Sequence, residues 1–94
     1  MFRIKLAPEA IDDLSRFRKY DQQEILDDIK AQLSHELTRE TRNRKRLRPN
    51  QLAEWELRVG TFRVFYDVDE LVRVVAIGYK TGQQLFVHGE EYEL

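Results

Sequence analysis

The stretch at residues 55–68, WELRVGTFRVFYDV, places the strongest constraint on what this chain can fold into. On each side of its central Gly60, apolar residues alternate with polar ones, which is the period of a half-buried strand. A two-residue loop that begins with glycine suits the tight turn of a β-hairpin. In that register Trp55 faces Tyr66, and one face of the hairpin is continuously apolar. The sequence therefore predicts an antiparallel hairpin whose apolar face belongs to the core.

The other face of the predicted hairpin carries two arginines in directly opposed positions, Arg58 and Arg63. Like charges placed this way destabilise a sheet by roughly a few tenths of a kcal/mol or more. Arginine pairs suit anionic ligands, because a guanidinium group binds phosphate through two parallel hydrogen bonds. Glu56 lies on the same face, diagonal to Arg63, so a solvated salt-bridge cluster also explains the pair. The hairpin alone leaves both an anion site and an ion-pair cluster open.

The part of the chain before the hairpin predicts one strand and two helices. Alternation predicts a strand over residues 2–6, and a helix over about 8–19 follows, with a proline at its first position. A second helix over about 22–37 is predicted to begin after Asp21, which forms a capping-box pair with Glu24. Each helix has one apolar stripe that must be buried. We therefore expect the two helices to pack as a hairpin on one face of a sheet.

The part after the hairpin predicts further strands. Residues 71–80 are apolar on both faces, which indicates a central strand, and residues 85–88 are predicted to form a short edge strand before an acidic end. The predicted fold class is α+β, with two N-terminal helices packed as a hairpin on one face of a small, mostly antiparallel twisted sheet. The side chains predicted to share its core are Trp55, Leu57, Val64, Tyr66, Ile29, Leu33, Ile11 and Leu14.

Composition restricts the classes of function. The 94 residues suffice for one domain, spanning residues 1–94. The chain has no cysteine, which excludes disulfides and thiolate metal sites and favours an intracellular protein. No metal-ligand spacing, glycine-rich phosphate loop or membrane-length apolar run is present, so we expect no metal, no cofactor and no membrane partner. We expect a soluble, cytoplasmic protein.

Positive charge is concentrated in one segment, although the formal net charge is −1. Residues 39–48, RETRNRKRLR, hold six basic side chains and one acidic one. Such a block either binds a polyanion or an acidic partner, or remains a solvated loop. The side chains of this segment that would contact a polyanion such as RNA are Arg42, Arg44, Lys45, Arg46 and Arg48.

The sheet face opposite the helices collects the remaining candidates for chemistry. It is predicted to carry Arg58 and Arg63 from the hairpin and Lys80 from the end of the central strand, with His88 beside it. Cations of this kind can stabilise the pentacoordinate transition state of RNA cleavage, and a histidine or tyrosine can transfer protons. The aromatic side chains predicted to stack on unpaired bases are Phe65 and Tyr79.

The order of elements, the hairpin and the strand ending VVAIGYK resemble the RelE/ParE superfamily of bacterial toxins. Its members typically carry a W-x-x-R-[VI]-G-x-[YF]-R-[VIL]-x-Y core followed by an apolar strand that ends in I-G-[HK]-[RK]. The resemblance covers nearly the whole chain. RelE-like members are endonucleases that cleave mRNA in the ribosomal A site, whereas ParE-like members poison DNA gyrase. A co-expressed antitoxin wraps around both kinds and inhibits them.

The resemblance implies a toxin of a type II toxin–antitoxin pair, with a RelE-like mRNA interferase as the leading interpretation. Arg63 then matches the arginine on the scissile phosphate, Arg58 a neighbouring basic position, and Lys80 a group that stabilises the transition state or the leaving group. Glu56 or His88 would transfer the proton. The chain differs from RelE in having glutamates at 54 and 56 instead of lysines, and Phe86 where RelE has a tyrosine.

The resemblance also implies partners and two alternative functions. The partners are a cognate antitoxin, mRNA and the ribosome, together with operator DNA reached through the antitoxin in a higher-order complex. Residues 85–87, as an unpaired strand edge, and the basic residues 42–48 are the predicted antitoxin contacts. One alternative is a ParE-like gyrase inhibitor. The other is a catalytically weak relative that only binds its antitoxin and modulates operator binding.

Overall fold

The order of elements in the computed structural model, which describes residues 3–34 and 39–93, agrees with the predicted fold class. Two helices are followed by a mostly antiparallel sheet, so the α+β prediction is confirmed. Neither helix in the described residues is long and apolar enough to cross a membrane. The elements are β1 (Ile4–Leu6), α1 (Pro8–Ser15), α2 (Lys19–Gln32), β2 (Arg44–Arg46), β3 (Trp55–Val59), β4 (Phe62–Val68), β5 (Val72–Thr81), β6 (Gln84–Val87) and β7 (Glu90–Tyr92).

The sheet is built around β5, as its apolar sequence predicts. The strand order is β2-β3-β4-β5-β6-β7, and every neighbouring pair in it is antiparallel. The first strand, β1, pairs with the beginning of β5 in parallel, whereas β6 pairs with its end. Strand β5 therefore has paired neighbours on both sides.

The β3–β4 hairpin has the predicted register. Trp55 pairs with Tyr66 and Arg58 pairs with Arg63, and the two-residue turn starts with Gly60 at a φ of 60°. A positive φ at this first turn position is the conformation of a type II′ turn, which glycine adopts without steric cost. The rings of Trp55 and Tyr66 stack with their centroids 6.2 Å apart. Both rings belong to the main core, between the helices and the sheet.

Both helices differ in detail from the prediction. Helix α1 ends at Ser15, earlier than expected, and its buried stripe consists of Ala10, Asp13 and Leu14. This i, i+3, i+4 stripe turns Ile11 outward, so the prediction that Ile11 belongs to the core is wrong, and its side chain is 55% exposed. The remaining predicted core side chains are buried.

The predicted capping box of the second helix is wrong. Helix α2 begins at Lys19, and its N-cap, Arg18, makes no capping hydrogen bond with its side chain. Asp21 lies in the first turn, where its carboxylate accepts a hydrogen bond from Arg18 Nε at 3.3 Å. The predicted end of this helix at residue 37 lies outside the described residues.

The face of the sheet away from the helices, called the outer face below, carries a second core. Its buried members are Ala53, Phe65, Ala76, Leu85 and Val87. A β-bulge opposite Phe65 and Tyr66 places both Val75 and Ala76 on this side. Part of the loop between β2 and β3 and Tyr92 of β7 cover these residues. The outer face is therefore partly packed rather than open.

Two strands appear that the sequence pattern did not predict. The basic segment contributes β2, which pairs with β3 so that Lys45 lies opposite Glu56. The acidic end contributes β7, which pairs with β6. Because β6 thus has a neighbour on each side, the prediction that residues 85–88 form an edge strand is wrong, and the antitoxin contact predicted from that edge loses its basis.

Candidate functional site

A groove of about 550 Å³ lies on the outer face between β2 and β7, and it is called the outer groove below. Strand alternation on β3 directs Glu56 and Arg58 to this side of the sheet, and β5 contributes Lys80, its second-last residue. The cationic residues that line the groove are Lys45, Arg46, Arg48, Arg58 and Lys80, and the acidic ones are Glu56, Glu91 and Glu93. The groove therefore brings together three of the predicted catalytic residues, Glu56, Arg58 and Lys80.

Arg63 is tied to the hairpin from which it projects. Its Nη1 donates hydrogen bonds to the carbonyl oxygens of Gly60 at 2.8 Å and of Phe62 at 2.9 Å. Its Nε lies 3.9 Å from Glu56 Oε1, and the Arg63 side chain is only 11% exposed. Burial lowers the pKa of Arg63 below its ordinary value; Glu56 opposes this change and the neighbouring Arg58 adds to it. Arg63 therefore stabilises the β3–β4 turn through these two hydrogen bonds.

Glu56 places a carboxylate beside this arginine in the floor of the groove. The residue is 6% exposed, and its Oε1 approaches the Nε of Arg63, an atom that is itself buried without a hydrogen-bond partner among the described residues. At 3.9 Å the contact is an ion pair and not a hydrogen bond. A phosphate approaching Arg63 would meet the negative charge of Glu56.

Arg58 and Lys80 are the accessible cations of the predicted catalytic set. Their backbone N–H groups are used, since Arg58 donates to Asn43 O at 2.7 Å and Lys80 to Thr61 O at 2.8 Å. Arg58 is exposed and Lys80 is half-buried. Within the described residues, neither side chain makes a hydrogen bond or an ion pair. Both therefore have charge available for an anionic group in the groove.

The basic segment is divided between the two faces of the sheet. Arg44 is buried, and its Nη1 donates to Gln32 O at the end of α2 at 3.3 Å, where a cation favourably meets the helix dipole. Arg46 places its guanidinium carbon 5.7 Å from the centroid of the Trp55 ring, a cation–π contact. The prediction that Arg44 contacts RNA is wrong, because its side chain lies inside the protein.

The other basic side chains of the segment, Arg39, Arg42, Lys45 and Arg48, are exposed. Arg44 also faces Tyr66, whose buried hydroxyl has a pKa raised to about 12 by desolvation, with the Arg44 charge opposing the rise. The segment therefore supplies core contacts as well as groove cations, and Arg46 does both. A row of like charges in a sequence gives no sign of this division.

Neither predicted stacking residue lies open in the groove. Phe65 is 0% exposed and belongs to the second core, so the prediction that it stacks on a base is wrong. Tyr79 is exposed, but its ring stacks on Phe86 at 5.3 Å and meets the edge of Phe17 at 6.3 Å. Because Phe17 follows α1, this aromatic cluster lies on the helix side of the sheet.

His88 is held away from the groove by a residue that the sequence pattern missed. Its Nδ1 lies 2.8 Å from Oδ1 of the buried Asp13, whose Oδ2 accepts a hydrogen bond from the backbone N–H of Ile77 at 3.0 Å. Asp13 belongs to α1, so the imidazole faces the helix side of the sheet. His88 and Gly89 both have positive φ, 57° and 79°, as the tight β6–β7 turn requires. An aspartate on the apolar stripe of α1 was the available sequence signal.

The family model described as the ParE toxin of type II toxin–antitoxin systems, parDE, matches residues 4–83. The chain belongs to the ParE toxin family. The predicted membership of the RelE/ParE superfamily is thereby confirmed, and so is the prediction of a type II toxin with a cognate antitoxin as its partner. No curated protein matches the chain.

The family match helps to divide the groove into two parts. It spans β1 to the turn after β5 and so includes the groove cations and Glu56. The β6–β7 hairpin, with Glu91 and Glu93, follows the matched residues.

Within residues 3–34 and 39–93, no three histidine, aspartate or glutamate side chains lie together in a way that would hold a metal ion. The accessible cations of the groove, Arg58 and Lys80, can bind anionic groups.

Proposed function

We propose that this ParE-family toxin inhibits DNA gyrase by binding it, without cleaving RNA. The observation that carries the proposal is the state of Arg63. The resemblance to RelE assigns this arginine to the scissile phosphate. In the structure its Nη1 donates hydrogen bonds to two backbone carbonyls, and its Nε faces Glu56. Because these guanidinium N–H groups already have partners within the protein, Arg63 is not preorganised to stabilise a phosphate whose charge changes during the reaction.

The surroundings of Arg63 support the same conclusion. General acid–base catalysis requires a proton-transfer group within hydrogen-bond reach of the reacting atoms. His88 is hydrogen-bonded to Asp13 on the helix side of the sheet. Of the two residues predicted to transfer the proton, Glu56 is the one that lines the groove, and it has the arginine as its ion-pair partner. Cationic and acidic side chains both line the groove. Such a mixture favours recognition of a protein surface with complementary charges, which orient the partner.

One specific observation favours RelE-like mRNA cleavage as the second candidate. Lys45, Arg48, Arg58 and Lys80 line one groove, and such a set of cations attracts the phosphates of an RNA strand. In this alternative, Arg58 and Lys80 hold the scissile phosphate and Glu56 acts as the base. Ribosome-bound mRNA would then be the substrate.

A pair of assays on the purified toxin decides between the two functions. The first measures supercoiling of relaxed plasmid by gyrase, and the second measures cleavage of mRNA in a reconstituted translation reaction. We expect inhibition of supercoiling with intact mRNA, and relief of inhibition when the cognate antitoxin is added. Cleaved mRNA with unaffected gyrase would refute the proposal and establish the second candidate. An Arg58→Gln/Lys80→Gln variant tests whether the outer groove takes part in whichever activity is found.

A further inference from the structure

Three cations on the outer face form a diagonal row across the sheet, called the cation row below. Lys45 of β2 lies opposite Glu56, and Arg58 follows two residues later on β3. Lys80 lies across β4, two residues farther in the same direction, where its N–H donates to Thr61 O. From the usual spacing of strands and of residues along them, the Cα atoms are about 8 Å apart between the first two cations and about 12 Å apart between the last two. Within the described residues, none of the three side chains makes a hydrogen bond or an ion pair, so the row presents three separate positive charges to a ligand.

Glu56 places a carboxylate in the floor of the groove beside the cation row, and this carboxylate lacks hydrogen bonds. Its side chain is 8% exposed, and it accepts no hydrogen bond from the part of the chain that the structure describes. Its ion pair with Arg63 Nε spans 3.9 Å, which is too long for a hydrogen bond. Glu91, by contrast, lies opposite Phe86, so the register directs it to the helix side of the sheet. A buried acceptor without a donor costs free energy, so a ligand that donates a hydrogen bond to Glu56 would bind favourably.

A nucleic acid fits these features of the groove poorly. Proteins that bind single strands combine cations with open aromatic rings on which the bases stack. On the outer face, Phe65 is buried and Tyr92 packs against the second core. A phosphodiester group also has no hydrogen-bond donor, so it would meet the charge of Glu56 without a compensating hydrogen bond. A peptide, in contrast, carries a backbone N–H at every residue except proline. The groove therefore favours an acidic peptide over a nucleic acid.

We propose that the outer groove binds an extended acidic segment of gyrase. In an extended chain, the side chains at alternate positions lie on one face about 7 Å apart, and the long side chains of the cation row can adjust to this spacing. Carboxylates of the segment pair with Lys45, Arg58 and Lys80, and a backbone N–H or hydroxyl group of the segment donates to Glu56. The inference rests on the proposed function, and it specifies the chemistry of the partner.

Two labelled probes test this chemistry on the full-length toxin. One is a fluorescein-labelled peptide of five Asp-Ser repeats, and the other is a fluorescein-labelled RNA of ten uridines. Binding of each is measured by fluorescence anisotropy at 50, 100 and 200 mM NaCl. The groove variant is Arg58→Gln/Lys80→Gln. The matched control is Arg3→Gln/Lys5→Gln, which removes two exposed cations at β1, outside the groove.

We expect the groove variant to bind the peptide about three- to tenfold more weakly than the wild type at 50 mM NaCl, and the control less than twofold more weakly. The difference should shrink as the salt concentration rises, because salt screens exposed charges. Equal losses in the two variants, or no loss in either, would overturn the inference. So would a groove variant that loses RNA binding and keeps peptide binding, because the groove would then be an RNA site.

A Glu56→Gln variant tests the floor of the groove. Glutamine has nearly the same shape, but it removes the negative charge and is a weaker acceptor than a carboxylate. Binding of RNA should therefore strengthen relative to binding of the peptide, by about threefold or more. Equal changes for the two probes would contradict the role given to Glu56. Thermal melting of each variant shows that it is folded in the assay, and if Glu56→Gln is not, the groove variant still decides the inference.

Inhibition of gyrase tests whether the acidic segment belongs to gyrase. The unlabelled peptide at a saturating concentration should relieve inhibition of supercoiling by the wild-type toxin, and it should not affect gyrase alone. Inhibition that persists with the groove saturated would overturn the inference and leave the proposed function in place. Weaker binding of the cognate antitoxin to the groove variant, with unchanged inhibition of gyrase, would assign the segment to the antitoxin and also overturn the inference. Supercoiling that the wild type never inhibits, together with cleaved mRNA, would instead defeat the proposed function.

Discussion

Replacing Arg63 by alanine should destabilise the protein. The substitution removes two hydrogen bonds from a cationic donor to the carbonyls of Gly60 and Phe62, and each such bond contributes about 1 kcal/mol or more. It also leaves the nearly buried carboxylate of Glu56 without its ion-pair partner, which costs further stability. Relief of the repulsion from Arg58 returns roughly a few tenths of a kcal/mol. The net loss should be about 2–3 kcal/mol.

Urea and thermal unfolding measure this loss. For a domain of this size, about 2–3 kcal/mol corresponds to a fall in Tm of roughly 10–20 °C. The matched control is Arg58→Ala on the same face, whose exposed side chain has no partner in the described residues. It should change stability by less than about 0.5 kcal/mol. The two arginines, which are equivalent in the sequence pattern, should therefore differ strongly.

A double-mutant cycle identifies the cause of the loss. In a Glu56→Gln background, Arg63→Ala no longer leaves a buried charge unpaired, so it should cost less than in the wild type. An Arg63→Ala protein that is as stable as the wild type, or more stable, would refute the reasoning. Such a result would mean that repulsion between the arginines exceeds the hydrogen bonds, as an anion site for Arg63 requires.

Three further predictions concern the core, a glycine and alkaline pH. Trp55→Ala and Phe65→Ala should each destabilise the protein by about 3–5 kcal/mol in urea unfolding, and a near-neutral Phe65→Ala would disprove the second core. Gly78→Ala should cost about 1–3 kcal/mol by the same measurement, because the added Cβ would clash with the carbonyl oxygen of Phe86; unchanged stability would contradict this contact. Because burial raises the pKa of Tyr66 to about 12, the folded state keeps a proton that the unfolded state loses near pH 10. The free energy of unfolding should therefore fall above pH 10, by up to about 1.4 kcal/mol per pH unit until pH 12. In the Tyr66→Phe variant this contribution should be missing when the free energies of unfolding at pH 9, 10 and 11 are compared with those of the wild type.

The hairpin shows what alternation along a sequence can predict. Apolar residues at every second position place Trp55 opposite Tyr66, because a shift of one residue would turn every apolar side chain to the wrong face. The same reasoning correctly predicts β5 as the central strand from its two apolar faces. The fold class follows from these elements and from the two amphipathic helices.

Alternation along the sequence does not predict the second core, because the members of this core come from distant parts of the chain. Phe65 occupies a position that is polar by alternation, and its burial depends on Ala53, Leu85 and Tyr92 covering it. A β-bulge also changes the alternation inside β5, which no local pattern indicates. Tertiary packing therefore decided the environment of Phe65.

The candidate site was predictable in its membership more than in its geometry. Arg58, Lys80 and Glu56 do line one groove, as the hairpin register and the strand order imply. The commitment of Arg63 to its own turn depends on side-chain conformation, and the bond of His88 to Asp13 joins residues 75 positions apart. Neither of these contacts can be predicted from the spacing of residues in the sequence. Both are reasons for proposing that the toxin binds a protein and does not cleave RNA.

The supercoiling state of a reporter plasmid in cells that express the toxin tests the central claim most directly. Plasmid is extracted at short intervals after induction, before growth stops, and its topoisomers are separated on a chloroquine gel. A toxin that inhibits gyrase should shift the plasmid towards relaxed or gyrase-cleaved forms, and co-expression of the antitoxin should prevent the shift. A normally supercoiled plasmid in arrested cells whose mRNAs carry new 5′ ends inside coding regions would contradict the account.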